Sequence, residues 1–120
     1  MVERGGHVTP GTDSPIIHPG ISYHAELQSW VDGGISPFQT LRAATLYSAE
    51  ALGIAKDLGT LEGGKLADLV IVDGDPLKNI KDVLKVQTVI RNGEIFGIED
   101  ILKARVQQGK AVLQGSHSSN

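Results

Sequence analysis

"LGTLEGGKLADLVIVDGDP", residues 58 to 76, marks the place where this 120-residue chain changes character. Turn formers crowd both ends of the stretch: Gly59, Gly63 and Gly64 on one side, Asp73-Gly74-Asp75-Pro76 on the other. Between them lies the apolar run Leu69 to Val72. A short, β-branched apolar run bounded by turn residues reads as a strand. Further on, "VQTVIRNGEIF" (86–96) is the clearest local signal in the chain. Two β-prone runs flank Asn92-Gly93, the pair preferred by a two-residue type I′ hairpin, in which both central residues take positive φ. Residues 67–73 and 86–96 are therefore expected to share a sheet. Residues 98–108 read as a helix with Ile98, Ile101, Leu102 and Val106 on one side, followed by the small, polar tail "QGSHSSN".

Working back from residue 58, the pattern is helical. Leu27, Trp30 and Val31 recur at helical spacing, with Ser22 as the expected N-cap and Gly33-Gly34 as the stop. Ser36-Pro37 starts a second helix, a cap followed by proline in the first turn, and Phe38 and Leu41 continue its buried stripe. Thr45 is read as the cap of a third, carrying Leu46, Ala49 and Leu52 and closed by Gly53. The helices of 22–53 are expected to pack against the sheet. Before them, "SPIIHPG" (14–20) is a loop, and residues 6–13 read as a short strand ending in a turn.

Composition narrows the class. The hydrophobic fraction is 40% but aromatics are only 4%, so the core must be aliphatic. Fourteen acidic residues against eleven basic give a net charge of -3, which offers no electrostatic case for nucleic acid or an anionic membrane. The absence of cysteine excludes disulfides and thiolate metal sites without fixing a compartment, cytoplasmic or periplasmic. No run approaches the ~20 apolar residues of a membrane span, and no signal peptide is visible, since Met1 leads straight into charged residues. No internal repeat is found.

The candidates for chemistry are few. His7, His18, His24 and His117 form neither a His-x-His nor a His-Glu-x-x-His pair. Ser14 lacks the Gly-x-Ser-x-Gly setting of a hydrolase nucleophile. Asp13, in "VTPGTDSP" (8–15), stands where an expected strand gives way to a loop. In parallel α/β proteins the carboxyl ends of strands surround the ligand. From the local pattern Asp13 is either such a site carboxylate or the cap of a turn.

Taken together, "GTDSP", "YHAELQSWVDGGISPFQTLRAAT", "LGTLEGGKLADLVIVDGDPL" and "VIRNGEIF" resemble, in order and spacing, the carboxyl-terminal part of the amidohydrolase superfamily. The imidazolonepropionase-like and prolidase-like metal-dependent hydrolases are the most similar. The resemblance covers nearly all of residues 5–97, and the combination of G-x-SP-x-x-x-LRAAT with LGT-x-E-x-GK-x-ADLV-x-x-D is highly specific. It implies an α+β fragment: the last βα unit of a (β/α)8 barrel plus carboxyl-terminal strands of a composite β-sandwich domain. The corresponding units are 1–57, the last barrel strand and rim helices; 58–97, sandwich strands; and 98–120, a carboxyl-terminal helix and polar tail.

The same resemblance gives Asp13 the role of the last metal-centre aspartate, binding a divalent metal, most readily zinc, and taking a proton from the metal-bound water. His24 matches the histidine of an H-x-EL stretch near the active-site rim, where it either touches substrate or packs at a helix start. Glu26, His7 and His18 are read as structural or surface residues, and Lys65 and Asp68 as turn and strand-entry residues. The remaining metal ligands of the family, a first-strand His-x-His, a bridging lysine or glutamate and two further histidines, have no counterpart here. A barrel takes roughly 250 residues, and zinc wants three or more protein ligands. The chain is accordingly expected to be a carboxyl-terminal fragment of a C–N bond hydrolase that is inactive and metal-free alone. Its expected partner is the missing amino-terminal barrel portion or a second copy. The alternative is a non-catalytic module that kept the scaffold and binds a partner through exposed strand edges.

Overall fold

The computed structural model describes residues 4–11 and 20–115, with side chains to residue 108. Helix α1 spans Ile21–Asp32. It begins two residues earlier than a Ser22 cap would place it: Gly20, at φ 91°, is the N-cap and offers no side-chain hydrogen bond. Its end is as expected, with Gly33 and Gly34 donating back to Ser29 and Val31 and Gly34 at φ 98°.

Helix α2 (Pro37–Arg42) starts at Ser36, whose hydroxyl accepts from Gln39 N at 3.2 Å, with Pro37 at the first helical position. No new cap interrupts it. Thr45 lies inside a π-helical stretch, Ala43–Tyr47, that joins α2 directly to α3 (Ser48–Ala51). Its hydroxyl donates to Leu41 O at 2.8 Å, while Ser48 Oγ donates to Ala43 O, five residues back, at 2.7 Å. Hydroxyls bonded back to helix carbonyls compete with the backbone ladder, which accounts for the widened turn. Gly53, at φ 73°, closes the run.

Strands β1 (Leu69–Val72), β2 (Val86–Arg91) and β3 (Glu94–Gly97) form an antiparallel sheet in the order β1-β2-β3. The β2–β3 turn is the expected one, with Arg91 opposite Glu94, Asn92 at φ 50° and Gly93 at φ 81°. A bulge between Ile71 and Val72 marks where β1 leaves the ladder. A 3₁₀ segment, Ile80–Leu84, links β1 to β2, and helix α4 (Ile98–Gly115) follows β3 and packs on β2 and β3. It runs further than the expected 98–108, with Leu102 and Val106 exposed.

Two expectations of packing are corrected. The helices of 21–51 meet the second half of the chain chiefly where α1 packs on the 3₁₀ segment, not through the sheet face. Of the strand expected over 6–13, residues 6–11 are described and form none, since among the described residues no neighbouring strand closes a ladder with them. The buried apolar positions among the described residues are Leu27, Ala43, Ala49 and Ile80, and Thr40 is fully enclosed beside them. Small side chains at 40, 43 and 49 let the helices approach closely. Phe38, expected in the stripe, is 57% exposed, with the Arg42 guanidinium 5.7 Å from its ring centre. The helix presents its 40/43 face inward instead.

Candidate functional site

Asp13, and with it Ser14, Pro15, His18 and His117, lies outside the described residues. The segment leading to Asp13 is described as far as Gly11, and three contacts tether it to the helices. The Gly11 amide donates to both Glu26 carboxylate oxygens, at 3.1 and 3.2 Å. The His7 ring stacks on Tyr47 with centroids 3.7 Å apart, and its Nδ1 is 3.5 Å from Glu50 Oε2. The Arg42 guanidinium covers the same Tyr47 ring at 4.9 Å. Glu26 is thus more than a solvated helix-start carboxylate: it fixes the backbone two residues before Asp13. Nothing in the local sequence pairs a glutamate with an amide 15 residues away, so sequence spacing could not have found it.

His24 sits one position along α1 from Tyr23, whose ring meets it edge-on at 5.8 Å. The Tyr23 hydroxyl reaches Ala44 O at 3.4 Å, and its pKa is raised, first by burial and then by the Glu26 charge. His24 is half-buried, and its Nδ1 is enclosed without a hydrogen-bond partner among the described residues. One turn on, Gln28 Oε1 is in the same condition. Both residues face a groove of about 700 Å³ between α1 and the 3₁₀ segment.

Lys65 and Asp68 are tying residues, in keeping with their reading as turn and strand-entry positions. Lys65 Nζ donates to Ala55 O at 2.7 Å and to Thr60 Oγ1 at 2.6 Å, and lies 3.5 Å from Glu62. The Thr60 hydroxyl and the Lys65 charge hold the Glu62 carboxyl below its ordinary pKa. Asp68 accepts from Asn92 N at 2.6 Å, and Ala67 O accepts from Gly93 N at 3.1 Å. The start of β1 therefore grips the tip of the next hairpin. Asp82 closes the DGDP turn: its carboxylate accepts from Asp75 N at 2.9 Å and pairs with Lys85 at 2.8 Å, which together depress its pKa.

Among the described residues, no group of three or more His, Cys, Asp or Glu side chains could hold a metal ion. A zinc ion wants at least three protein ligands, and the described residues do not supply them.

The model of the amidohydrolase family matches residues 1–96. The chain belongs to the amidohydrolase family. It is similar to the imidazolonepropionase of Shouchella clausii, 34% identical over 103 residues that make up 79% of this chain and 22% of that protein. It is equally similar to the 5-methylthioadenosine/S-adenosylhomocysteine deaminase of Moorella thermoacetica, 34% identical over 117 residues, 80% of this chain and 27% of that one. Among solved structures, it superposes on a Xaa-Pro dipeptidase with bound methionine in the active site at a TM-score of 0.74 and 32% identity, covering 80% of this chain and 23% of the dipeptidase. Molinate hydrolase superposes at a TM-score of 0.71 and 25% identity, covering 79% and 24%. The chain spans about a quarter of the length of the curated relatives it matches. Relatives of this similarity carry hydrolase and deaminase names, which agrees with the expected hydrolase family.

Proposed function

We propose that this chain is the carboxyl-terminal portion of a metal-dependent amidohydrolase that breaks a C–N bond in a cyclic amide, amidine or dipeptide-like substrate, and that these 120 residues are inactive alone. The observation that carries this is the family match over residues 1–96, set beside the quarter of a relative's length that the chain spans. The names of the relatives, an imidazolonepropionase, a deaminase and a Xaa-Pro dipeptidase, support the substrate class. In this reading residues 1–57 supply the last barrel strand and rim helices, 58–97 supply sandwich strands, and Asp13 contributes one carboxylate to a zinc centre whose other ligands come from outside these residues. Asp13 alone does not make a metal site, so the chain should bind zinc no better than weakly.

A second reading, a partner-binding module without catalysis, is favoured by the open sheet. Among the described residues, β2 is the one strand hydrogen-bonded to β1 and the one hydrogen-bonded to β3. Val70 and Ile95 are 54% and 70% exposed. Exposed edges recruit other strands. Either the missing barrel portion or a second copy would cover them, and we propose that the isolated chain self-associates.

Both readings meet in one set of measurements on the purified chain. Expected are no turnover of amide, cyclic amide or dipeptide substrates, and zinc affinity weaker than micromolar. Turnover that Asp13→Asn abolishes, or a stoichiometric micromolar zinc complex, would overturn the inactive-alone reading. Sedimentation over a tenfold concentration range tests the open edges: a single monomeric species throughout would sink the proposal of self-association.

A further inference from the structure

Among the described residues, helix α4 has little to pack on beyond its root. It meets the body through β2 and β3, and every residue from Glu99 to Gln108 is exposed. Leu102 and Val106, one turn apart, are 56% and 58% exposed, and Ile98, one turn before them, is half-buried. Positions four apart share a face of a helix, so these three form an apolar stripe. Helices in proteins draw most of their stability from packing such a stripe. The fold shared with the family does not account for it, because the family match ends at residue 96, before α4 begins.

Charge says what covers the stripe. Glu99 and Asp100 stand in the first turn of α4, and the basic residues Lys103 and Arg105 follow in the next. The two signs balance over 98–108, which gives no pull toward an anionic membrane. A second α4 running antiparallel is complementary. Its acidic start lies beside the basic turn of the first, whereas a parallel copy sets like charge beside like. With a two-fold axis at Leu102, that side chain meets its own copy, and Ile98 and Val106, equally far to either side, face each other. On the flank of the stripe, Glu99 then stands beside the partner's Lys103, and Lys103 beside the partner's Glu99. Within the chain these two are 3.6 Å apart and both exposed. An exposed pair of that kind holds weakly and leaves each charge open to a second partner.

We propose that α4 is the docking surface for a second copy of this chain, joined as an antiparallel helix pair about a two-fold axis at Leu102. The inference rests on the self-association proposed above and gives it a seat apart from the strand edges.

Sedimentation equilibrium of the 120-residue chain and four variants tests this. Leu102→Glu, at an exposed position, should weaken the dimer about a hundredfold, since a two-fold interface carries each substitution twice. It should leave the melt followed by Trp30 fluorescence in place. Glu99→Lys and Lys103→Glu should each weaken the dimer, because like charges then face each other. An equimolar mixture of these two variants should associate about tenfold more tightly than either alone, since every facing pair in the mixed dimer is of opposite sign. That recovery cannot arise within one chain. A mixture no tighter than its components would overturn the proposal, as would a dimer that Leu102→Glu leaves intact. If that intact dimer is instead lost in Ile95→Lys, the strand edges join the copies and the α4 pairing alone falls. A chain that is monomeric at every concentration overturns both.

Discussion

The two halves of this chain are held together by different forces. In the helical half, Leu27, Ala43 and Ala49 are buried, Thr40 is fully enclosed among them, and rings stack at His7 and Tyr47. In the sheet half, between residues 58 and 97, Ile80 is the buried apolar residue. What fixes that half is a set of side chains bonded to backbone: Lys65 on Ala55, Asp68 on Asn92, Asp82 on Asp75. Apolar burial needs a partner surface, whereas a carboxylate or ammonium on a nearby backbone group needs only its own loop. The sheet half can thus take its shape while Val70, Ile71 and Ile95 remain exposed for something else to cover.

The largest test of the contrast is at Gly59, where the two halves touch. Its φ is +96°, and a Cβ there would stand 2.7 Å from Ala49 Cβ and 3.2 Å from both Leu46 Cα and Thr45 O. Gly59→Ala should cost about 3 kcal/mol, part from the left-handed backbone and part from overpacking against the helix. The loss should appear in denaturant melts followed by Trp30 fluorescence as well as by the sheet's circular dichroism. A change confined to the sheet signal would show that the halves are independent.

A smaller effect of opposite sign is expected inside the helical half. Thr40 is fully buried, and among the described residues its hydroxyl has no hydrogen-bond partner. Thr40→Val keeps the shape and removes the unsatisfied group, so it should stabilise by about 1 kcal/mol. That corresponds to a rise of about 4 °C in thermal midpoint for a domain of this size. A lowered midpoint would mean that the hydroxyl is satisfied in solution.

The smallest effect at neutral pH, and a growing one in acid, belongs to the polar ties. Lys85 first and the Asp75 amide second depress the Asp82 carboxyl pKa. A depressed carboxyl adds stability that is fully present above its unfolded value, near about 4. That contribution disappears as pH falls through the lower folded value. Asp82→Asn should therefore flatten the acid limb of a stability–pH curve between about pH 5 and 2. Parallel limbs for the two proteins would refute the role given to this pair.

Local chemistry was legible in the sequence; long-range pairing was not. The Asn92-Gly93 turn, the Ser36-Pro37 start, the Gly33-Gly34 stop and the Leu69–Val72 strand all depend on residues within a few positions of one another, and all appear. Ser22 failed as a cap because Gly20 could take the positive φ from which α1 begins. Thr45 failed because a hydroxyl can bond back into a helix as readily as it can start one. Phe38, expected in the buried stripe, is exposed while Thr40 is enclosed, because helix rotation is set by what packs against it, and only small residues fit at 40 and 43. Of the candidate site, His24 is now on the wall of a groove, the Glu26–Gly11 tether was invisible to spacing, and Asp13 lies outside the described residues.

The grip of β1 on the hairpin tip also bears on how this protein ages. In an Asn-Gly pair the glycine nitrogen can attack the asparagine side-chain amide, expelling ammonia and converting the residue to aspartate or its isomer. Here the Gly93 nitrogen is committed to Ala67 O at 3.1 Å, and the Asn92 nitrogen to Asp68 at 2.6 Å. Ring closure at Asn92 has to wait until that corner opens. The slow gain of one negative charge during storage would then serve as a clock of how often the hairpin lets go of its neighbour.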